Sequence, residues 1–230
     1  AKAGSGDCPC KQFTLEVVSS GAERVAELAQ RADHVIVCAG NQPLINAREE
    51  YDRPDIRLPK AQTALLDAAA AANESTLLYL VTGYPFAINK EKDTAKAVLC
   101  STHLGPCLGH VAAATVFGEN NPAGRTPTTW YRSVRDLPAL DDYDIAKNHV
   151  TYLYFRGKPL YAFGYGLSYT TFAYSNPTVK QENGEVIATI NVQNTGALDG
   201  DEVVQLYMSL PSSLRVRPIL SLIHISEPTR

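Results

Sequence analysis

The chain has 230 residues, of which 45% are hydrophobic, and its 24 acidic and 21 basic side chains leave a net charge of −3. This length accommodates one or two globular domains, and the balanced charge argues against a nucleic-acid partner. The sequence contains no apolar run long enough to span a bilayer, so a membrane partner is not expected either.

Strand and helix patterns alternate along the first part of the sequence. A weak alternation at 13–18 suggests a strand. Short apolar or β-branched runs predict buried strands at 34–39 and 76–82 and a further strand at 97–101. Apolar residues at helical spacing predict helices at 21–32, 60–73 and 109–117. Such a β-α-β-α-β order indicates an α/β fold, an α/β sandwich with a mostly parallel sheet and right-handed crossovers.

The later part of the sequence has a different pattern. An Asn-Pro-Ala-Gly run at 121–124 predicts a turn, and short aromatic-rich segments follow it. From Ala173 onward, residues 185–194 and 202–208 alternate apolar and polar side chains around a turn-rich stretch, as antiparallel strands of a sandwich do. These strands are too few to close a sandwich, so the second, all-β unit is expected to be truncated.

A charged connection at 46–59 separates the predicted strand at 34–39 from the predicted helix at 60–73. It reads Asn-Ala-Arg-Glu-Glu-Tyr-Asp-Arg-Pro-Asp-Ile-Arg-Leu-Pro. Loops at the carboxyl ends of strands in α/β proteins commonly hold ligand sites. Composition alone favours a solvated surface loop, but a glutamate beside other carboxylates and arginines can also have its pKa tuned for acid–base work.

Other residues that could carry chemistry are scattered. The five cysteines lack a second pair at zinc-site spacing, so no metal site is expected, and Cys38 and Cys100 are expected to be buried thiols because they lie in apolar runs. No nucleotide-binding or nucleophile motif is present, so no cofactor is expected. Among the five histidines, only His103 lies just past a predicted strand, near a possible ligand face; a structural role is the alternative.

Four stretches, in this order, resemble the carboxy-terminal part of glycoside hydrolase family 3, the β-glucosidases and β-xylosidases. The resemblance extends over residues 21–218. The stretches are Glu49-Glu-Tyr-Asp-Arg with Leu58-Pro59; Phe117-Gly with Asn121-Pro-Ala-Gly-Arg and Trp130-Tyr131; Phe163-Gly-Tyr-Gly-Leu-Ser-Tyr-Thr-Thr-Phe172; and Asn194-Thr-Gly with Gly200-Asp-Glu-Val-Val-Gln-Leu-Tyr207. The turn at 104–107 lacks the Gln and Glu of many relatives, which leaves a sugar or barrel contact from this turn unsupported.

The resemblance implies a domain division. Residues 1–172 would form the family's C-terminal α/β sandwich domain, and residues 173–220 a partial immunoglobulin-like domain of the fibronectin type III-like kind. The run from Leu220 resembles translated sequencing-adapter sequence, so residues 221–230 are expected to be a non-native tail. A TIM barrel of the same parent chain, which this sequence does not contain, would supply the nucleophilic aspartate and most sugar contacts.

The resemblance also implies site residues. In relatives the general acid/base glutamate stands three residues before an Asp-Arg pair, which assigns the role to Glu49, with the adjacent Glu50 as runner-up because loop length varies. Asp52 and Arg53 would support the loop; a surface ion pair is the alternative for both.

The implied parent enzyme is a retaining exo-β-glycosidase that acts on β-linked gluco- or xylo-oligosaccharides, expected outside the cytoplasm, either extracellular or periplasmic. The fragment alone would be inactive because it carries one half of the carboxylate pair. Two alternatives stay open, a non-catalytic scaffold or carbohydrate-contacting module that supports a barrel, and a free-standing flavodoxin-like binding protein.

Overall fold

The computed structural model describes residues 21–41, 53–208 and 221–225. Its first unit begins with helix α1 (Gly21–Ala29), strand β1 (Val35–Gly40), helix α2 (Lys60–Ala72) and strand β2 (Thr76–Val81). The short helix α3 (Glu91–Thr94), strand β3 (Ala97–Ser101) and helix α4 (Leu108–Val116) follow. The weak strand predicted at 13–18 lies outside the described residues.

The three strands form one parallel sheet in the order β1-β2-β3. This arrangement confirms the predicted α/β fold. Parallel strands direct their carboxyl ends to the same edge, so Gly40, Val81 and Ser101 end side by side at one edge of the sheet.

The core lies between one face of this sheet and helix α2. Alternate residues of β1 and β2, among them Val37 and Leu78, join Leu66 and Ala69 of the helix in one buried cluster. Trp130, from the chain after α4, completes it and pairs with Tyr161 as an isolated antiparallel bridge. The single tryptophan is therefore a probe of the α/β core.

Two expectations about burial were wrong. Ile36, on the opposite face of β1, is 49% exposed, and the residues Cys38 and Cys100 are exposed rather than buried, although partial burial of the Cys100 thiol raises its pKa to about 11. The reason is nonlocal: β1 and β3 are the two edge strands of the described sheet, so each has a neighbouring strand on one side only.

The turn predicted at 121–124 was also misplaced. The turn comes earlier, at 117–120, where Gly118 has φ +78° and its N–H donates to Thr115 O. Asn121 instead acts through its side chain: Oδ1 accepts hydrogen bonds from the Tyr169 N–H (2.7 Å) and the Ser168 hydroxyl (3.0 Å). Its amide thereby holds the later Gly-rich segment against the end of α4.

A long hairpin follows, after the short helix α5 (Thr151–Tyr154). Strands β4 (Phe172–Glu182) and β5 (Glu185–Asn194) pair antiparallel, as predicted for the second strand, with an irregularity between Ser175 and Thr178. Asn183 and Gly184 both have positive φ, which is the Asn-Gly geometry that favours two-residue hairpin turns. Strand β6 (Gln205–Met208) pairs antiparallel with β7 (Ser221–Ile225), which lies in the stretch expected to be non-native.

An ion pair joins the antiparallel part of the chain (172–208, the hairpin unit) to the α/β unit that precedes it. Arg125 Nη2 lies 2.5 Å from Glu202 Oε2, and both side chains are more than four-fifths buried. The other oxygen of Glu202 accepts a hydrogen bond from the Tyr174 hydroxyl on β4. In the described part of the chain, no helix has the length and apolarity to cross a membrane.

Candidate functional site

The predicted acid/base residues Glu49 and Glu50, and the supporting Asp52, lie outside the described residues; Arg53 lies within them. The described geometry is that of the two ends of the loop. The loop leaves the sheet at Asn41, directly after β1, and Arg53 is the first described residue where the chain returns.

The first end of the loop is fixed at Gly40. The side-chain amide of Gln62, on α2, accepts a hydrogen bond from the Gly40 N–H and donates one to the Gly40 carbonyl, each at 3.0 Å. Gly40 has φ +138°, and a Cβ atom there would lie 1.9 Å from Val81 O. Only glycine fits this backbone conformation and this close approach to β2.

Asn41 continues the connection to the neighbouring strand. Its backbone N–H donates to Val81 O at 3.1 Å, and its side-chain Oδ1 accepts from the Gly83 N–H at 2.9 Å. The start of the loop is therefore tied to the exit of β2 by both backbone and side chain.

The second end is fixed through Arg53. The centre of its guanidinium lies 3.7 Å from the centroid of the Tyr84 ring and 5.0 Å from that of Phe86, and Nη1 donates to Pro85 O at 3.2 Å. Cation–π contacts of this kind contribute about 0.5–2 kcal/mol, more when desolvated. Arg53 thus holds the returning loop on the segment that follows β2.

Burial governs the electrostatics of this contact. It lowers the pKa of Arg53 below its ordinary value, while Tyr84 and Asp55 act in the opposite direction. Burial also raises the pKa of Tyr84, and the Arg53 charge opposes that shift. The arginine stays charged because the ordinary guanidinium pKa is above 12, so it presents a fixed positive charge beside the loop that carries the predicted glutamates.

The end of the loop enters the core. The Ile56 carbonyl accepts a hydrogen bond from Ala87 N–H at 2.8 Å, and Leu58 is 5% exposed within the main cluster. Pro59 then stands at the N-cap of α2, where its carbonyl accepts from the N–H groups of Gln62 and Thr63. This Leu-Pro pair explains why a helix can begin immediately after so charged a loop.

A cavity of about 620 Å³ opens beside this segment. It is lined by residues 53–55 and 57–60, the first turns of α2, and residues 86, 87 and 89–91. Among its lining groups, Glu91 is 8% exposed and accepts a hydrogen bond from the Thr63 hydroxyl at 2.7 Å. The cavity adjoins Arg53 but faces the N-terminal end of α2.

The third strand brings His103 to the same edge. Its Nε2 lies 3.2 Å from Asn41 Oδ1. Sequence reasoning missed the supports Asn41, Gln62 and Tyr84; the only signal was that Gly40 and Gly83 follow strand patterns. Within the described ranges no group of three or more His, Cys, Asp or Glu side chains could hold a metal ion.

Comparisons with known proteins agree with one another. The family model described as "Glycosyl hydrolase family 3 C-terminal domain" matches residues 5–169. A "Periplasmic beta-glucosidase" of Salmonella typhimurium is 34% identical over 214 residues, covering 87% of this chain and 28% of that protein. A "Xylan 1,4-beta-xylosidase" of Xylanibacter ruminicola is 32% identical over 197 residues, covering 81% of this chain and 22% of that protein.

Solved structures show the same similarity. A β-glucosidase from Kluyveromyces marxianus in complex with glucose has a TM-score of 0.80 at 29% identity, covering 90% of this chain and 26% of that one. A GH3 β-glucosidase from Bifidobacterium adolescentis has a TM-score of 0.82 at 28% identity, covering 89% of this chain and 32% of that one. The chain therefore spans no more than about a third of these relatives.

Proposed function

The chain belongs to glycosyl hydrolase family 3, whose C-terminal domain it matches, and from this premise we propose that it is the C-terminal part of a retaining exo-β-glycosidase. The parent enzyme would hydrolyse O-glycosidic bonds in β-linked gluco- or xylo-oligosaccharides. Relatives named as β-glucosidase and as xylan 1,4-beta-xylosidase support both substrate classes.

We assign the general acid/base role to Glu49. The observation that carries this proposal is the anchoring of both ends of its loop at the carboxyl edge of the sheet, by Gln62 on Gly40 and by Arg53 on Tyr84. A loop whose two ends are fixed at neighbouring strand exits suits a catalytic carboxyl group, because sites supported by strands and helices are placed more precisely than sites on unsupported loops. Positioned acid–base catalysis of this kind typically contributes about 10²- to 10⁴-fold in rate.

The mechanism needs a second carboxylate. In retaining glycosidases the two carboxyl groups stand about 5 Å apart, one as nucleophile and one as acid and then base. We propose that an aspartate in an N-terminal TIM barrel of the parent chain attacks the anomeric carbon. Glu49 would protonate the departing oxygen and then activate the water that releases the sugar. The 230-residue chain alone would then have no hydrolase activity.

The test uses the full-length parent enzyme with Glu49→Ala. Activity on cellobiose, which has a poor leaving group, should fall about 10²- to 10⁴-fold, while activity on a dinitrophenyl β-glucoside should fall much less because that leaving group needs no proton. With the dinitrophenyl β-glucoside, azide should restore turnover and give a β-glycosyl azide, because this anionic nucleophile attacks the glycosyl-enzyme in place of water and needs no general base.

The matched control is Glu50→Ala. If this variant shows the leaving-group dependence and azide rescue instead of Glu49→Ala, the acid/base is Glu50. If neither variant is rescued by azide, the loop has only a scaffold role and the catalytic acid lies elsewhere. Turnover of an aryl β-glucoside by the isolated chain would contradict the need for a barrel.

We also propose the domain division 1–172, 173–220 and 221–230, the last part being a non-native tail. The change from parallel sheet to antiparallel hairpin at Phe172, where β4 begins, supports the first boundary. Mass spectrometry of the natural product that found residues 221–230 in place would contradict the third. An extracellular or periplasmic location is proposed because one relative is named as periplasmic, and cell fractionation tests it.

A further inference from the structure

The polar contacts that tie the start of the loop to the carboxyl edge of the sheet extend to the third strand. Asn41 follows β1, Gly83 follows β2 by two residues, and His103 follows β3 by two residues. Asn41 Oδ1 contacts both of the others, the Gly83 N–H at 2.9 Å and His103 Nε2 at 3.2 Å. One amide oxygen thus joins residues from all three strand exits.

This pattern fixes the roles of the polar atoms. Because the Gly83 N–H can only donate, its partner on Asn41 is the carbonyl oxygen, and Nδ2 is directed elsewhere with two donors. For His103 to bond the same oxygen, Nε2 must carry the proton, which leaves Nδ1 of the neutral ring as an acceptor. No other described residue forms a hydrogen bond with Asn41 Nδ2 or His103 Nδ1.

Asn41 Nδ2 thus offers two donors and His103 Nδ1 one acceptor, and a sugar ring carries several hydroxyl groups, each of which donates one hydrogen bond and accepts others. His103 is exposed, and Asn41 and Gly83 are at most partly buried, so a ligand can reach them. Their position is also the expected one, because ligands of α/β proteins bind outside the carboxyl ends of the strands.

We propose that Asn41, Gly83 and His103 form a hydroxyl-binding subsite for the leaving-group sugar, with His103 as a specificity-determining residue. This inference rests on the proposed function, since the loop that bears Glu49 starts at Asn41 and is held by Arg53 on Tyr84, the residue after Gly83. A sugar whose glycosidic oxygen receives a proton from that loop would have its leaving-group ring over this edge.

The experiment is an NMR titration of the 230-residue chain with methyl β-D-glucoside and methyl β-D-xyloside. The imidazole nitrogens of His103 and the amide of Gly83 should shift in a saturable way with at least one of the two sugars. His103→Ala should raise the Kd about 2- to 10-fold, the effect of one neutral hydrogen bond. Asn41→Asp keeps the oxygen that holds Gly83 but removes the two Nδ2 donors, and it should raise the Kd similarly.

The matched control is His34→Ala. His34 is also exposed, but it lies at the amino edge of the same sheet, with Nδ1 2.7 Å from Ser75 Oγ, so its removal should leave the Kd unchanged. Trp130 fluorescence checks that each variant keeps its core. Absence of a saturable shift up to the solubility limit of both sugars overturns the subsite, as does an equal effect of His34→Ala.

Failure here and failure of the proposed acid/base role are distinguishable. Binding of a methyl glycoside at Asn41 and His103 needs no proton transfer, so it is independent of which glutamate acts as the acid. Azide rescue of Glu49→Ala in the parent enzyme, in turn, does not depend on His103.

Discussion

Replacing Arg125 with methionine should destabilise the contact between the hairpin unit and the α/β unit more than a substitution in any exposed ion pair of the described residues. Arg125 Nη2 binds Glu202 Oε2, and its Nη1 donates to the carbonyls of Ala123 and Gly124 at 3.0 and 3.2 Å. The Arg125 and Glu202 side chains are 12% and 14% exposed. Methionine keeps an unbranched apolar stem but removes the charge and the donors.

The size of the loss in stability follows from the contacts that Glu202 keeps in this variant. Glu202 would keep one partner, the Tyr174 hydroxyl at 2.5 Å, and its charge would be buried without compensation. Removing one member of a buried ion pair typically costs about 3–5 kcal/mol, whereas replacing both members with apolar residues is often neutral. The free energy of unfolding should therefore fall by several kcal/mol in Arg125→Met and largely recover in the double variant Arg125→Met with Glu202→Leu.

This double-mutant cycle is measured by urea unfolding, with hydrogen exchange of β4 and Trp130 fluorescence as the two probes. The first probe reports on the hairpin and the second on the α/β core. The control is Lys147→Met, because Lys147 pairs with Asp142 at 69% and 31% exposure, where exposed pairs contribute about 0–1 kcal/mol. An Arg125→Met effect no larger than the control, or a double variant as unstable as the single one, would refute the reasoning.

Three other changes have definite expectations. Gly40→Ala should fail to fold stably in expression and melting tests, because its Cβ would lie 1.9 Å from Val81 O. Thr63→Val should lower the free energy of unfolding by about 1–3 kcal/mol in urea, since it leaves the buried Glu91 carboxylate without its hydroxyl donor. Burial, aided by the Glu202 carboxylate, raises the pKa of Tyr174 to about 12, above its ordinary value near 10. Its stabilising contribution is therefore complete below pH 10 and lost as the pH rises through 12, so pH-dependent unfolding between those values should be weaker in Tyr174→Phe.

Local pattern was sufficient to predict the three strands and the helices α1, α2 and α4 of the α/β unit, but not the short helix α3 (Glu91–Thr94). The apolar run at 97–101 corresponds to β3 (Ala97–Ser101), and the Ala- and Leu-rich run after Pro59 corresponds to α2 (Lys60–Ala72). These elements are set by side-chain periodicity within a few residues, and no tertiary contact overrides it. The Asn-Gly pair at 183–184 is an equally local signal for a hairpin turn, but only the strand that follows it is predicted from the sequence.

Properties that depend on distant neighbours could not be predicted in the same way. The exposure of Ile36 follows from the position of β1 at a sheet edge, which the sequence of β1 does not encode. The motif match identified Arg53 but not the residues that it contacts, because Tyr84 and Pro85 lie about thirty residues later in the chain. The same holds for Gln62, whose amide closes on Gly40 only after α2 has packed against the sheet.

These distant supports bear on how the proposed acid/base could be positioned. A catalytic group needs placement to within about 0.5 Å, and sites supported by strands and helices are more precise than sites on unsupported loops. Here the loop that bears Glu49 and Glu50 is bounded by Gly40, which α2 clamps, and by Arg53, which stacks on Tyr84. Because both anchors lie at the carboxyl edge of one sheet, Gly40 at the end of β1 and Tyr84 three residues past β2, displacement of either would shift the loop relative to a carboxylate on another domain. Although neither Gln62 nor Tyr84 is proposed to contact the substrate, a substitution at either position should therefore lower the turnover of the parent enzyme.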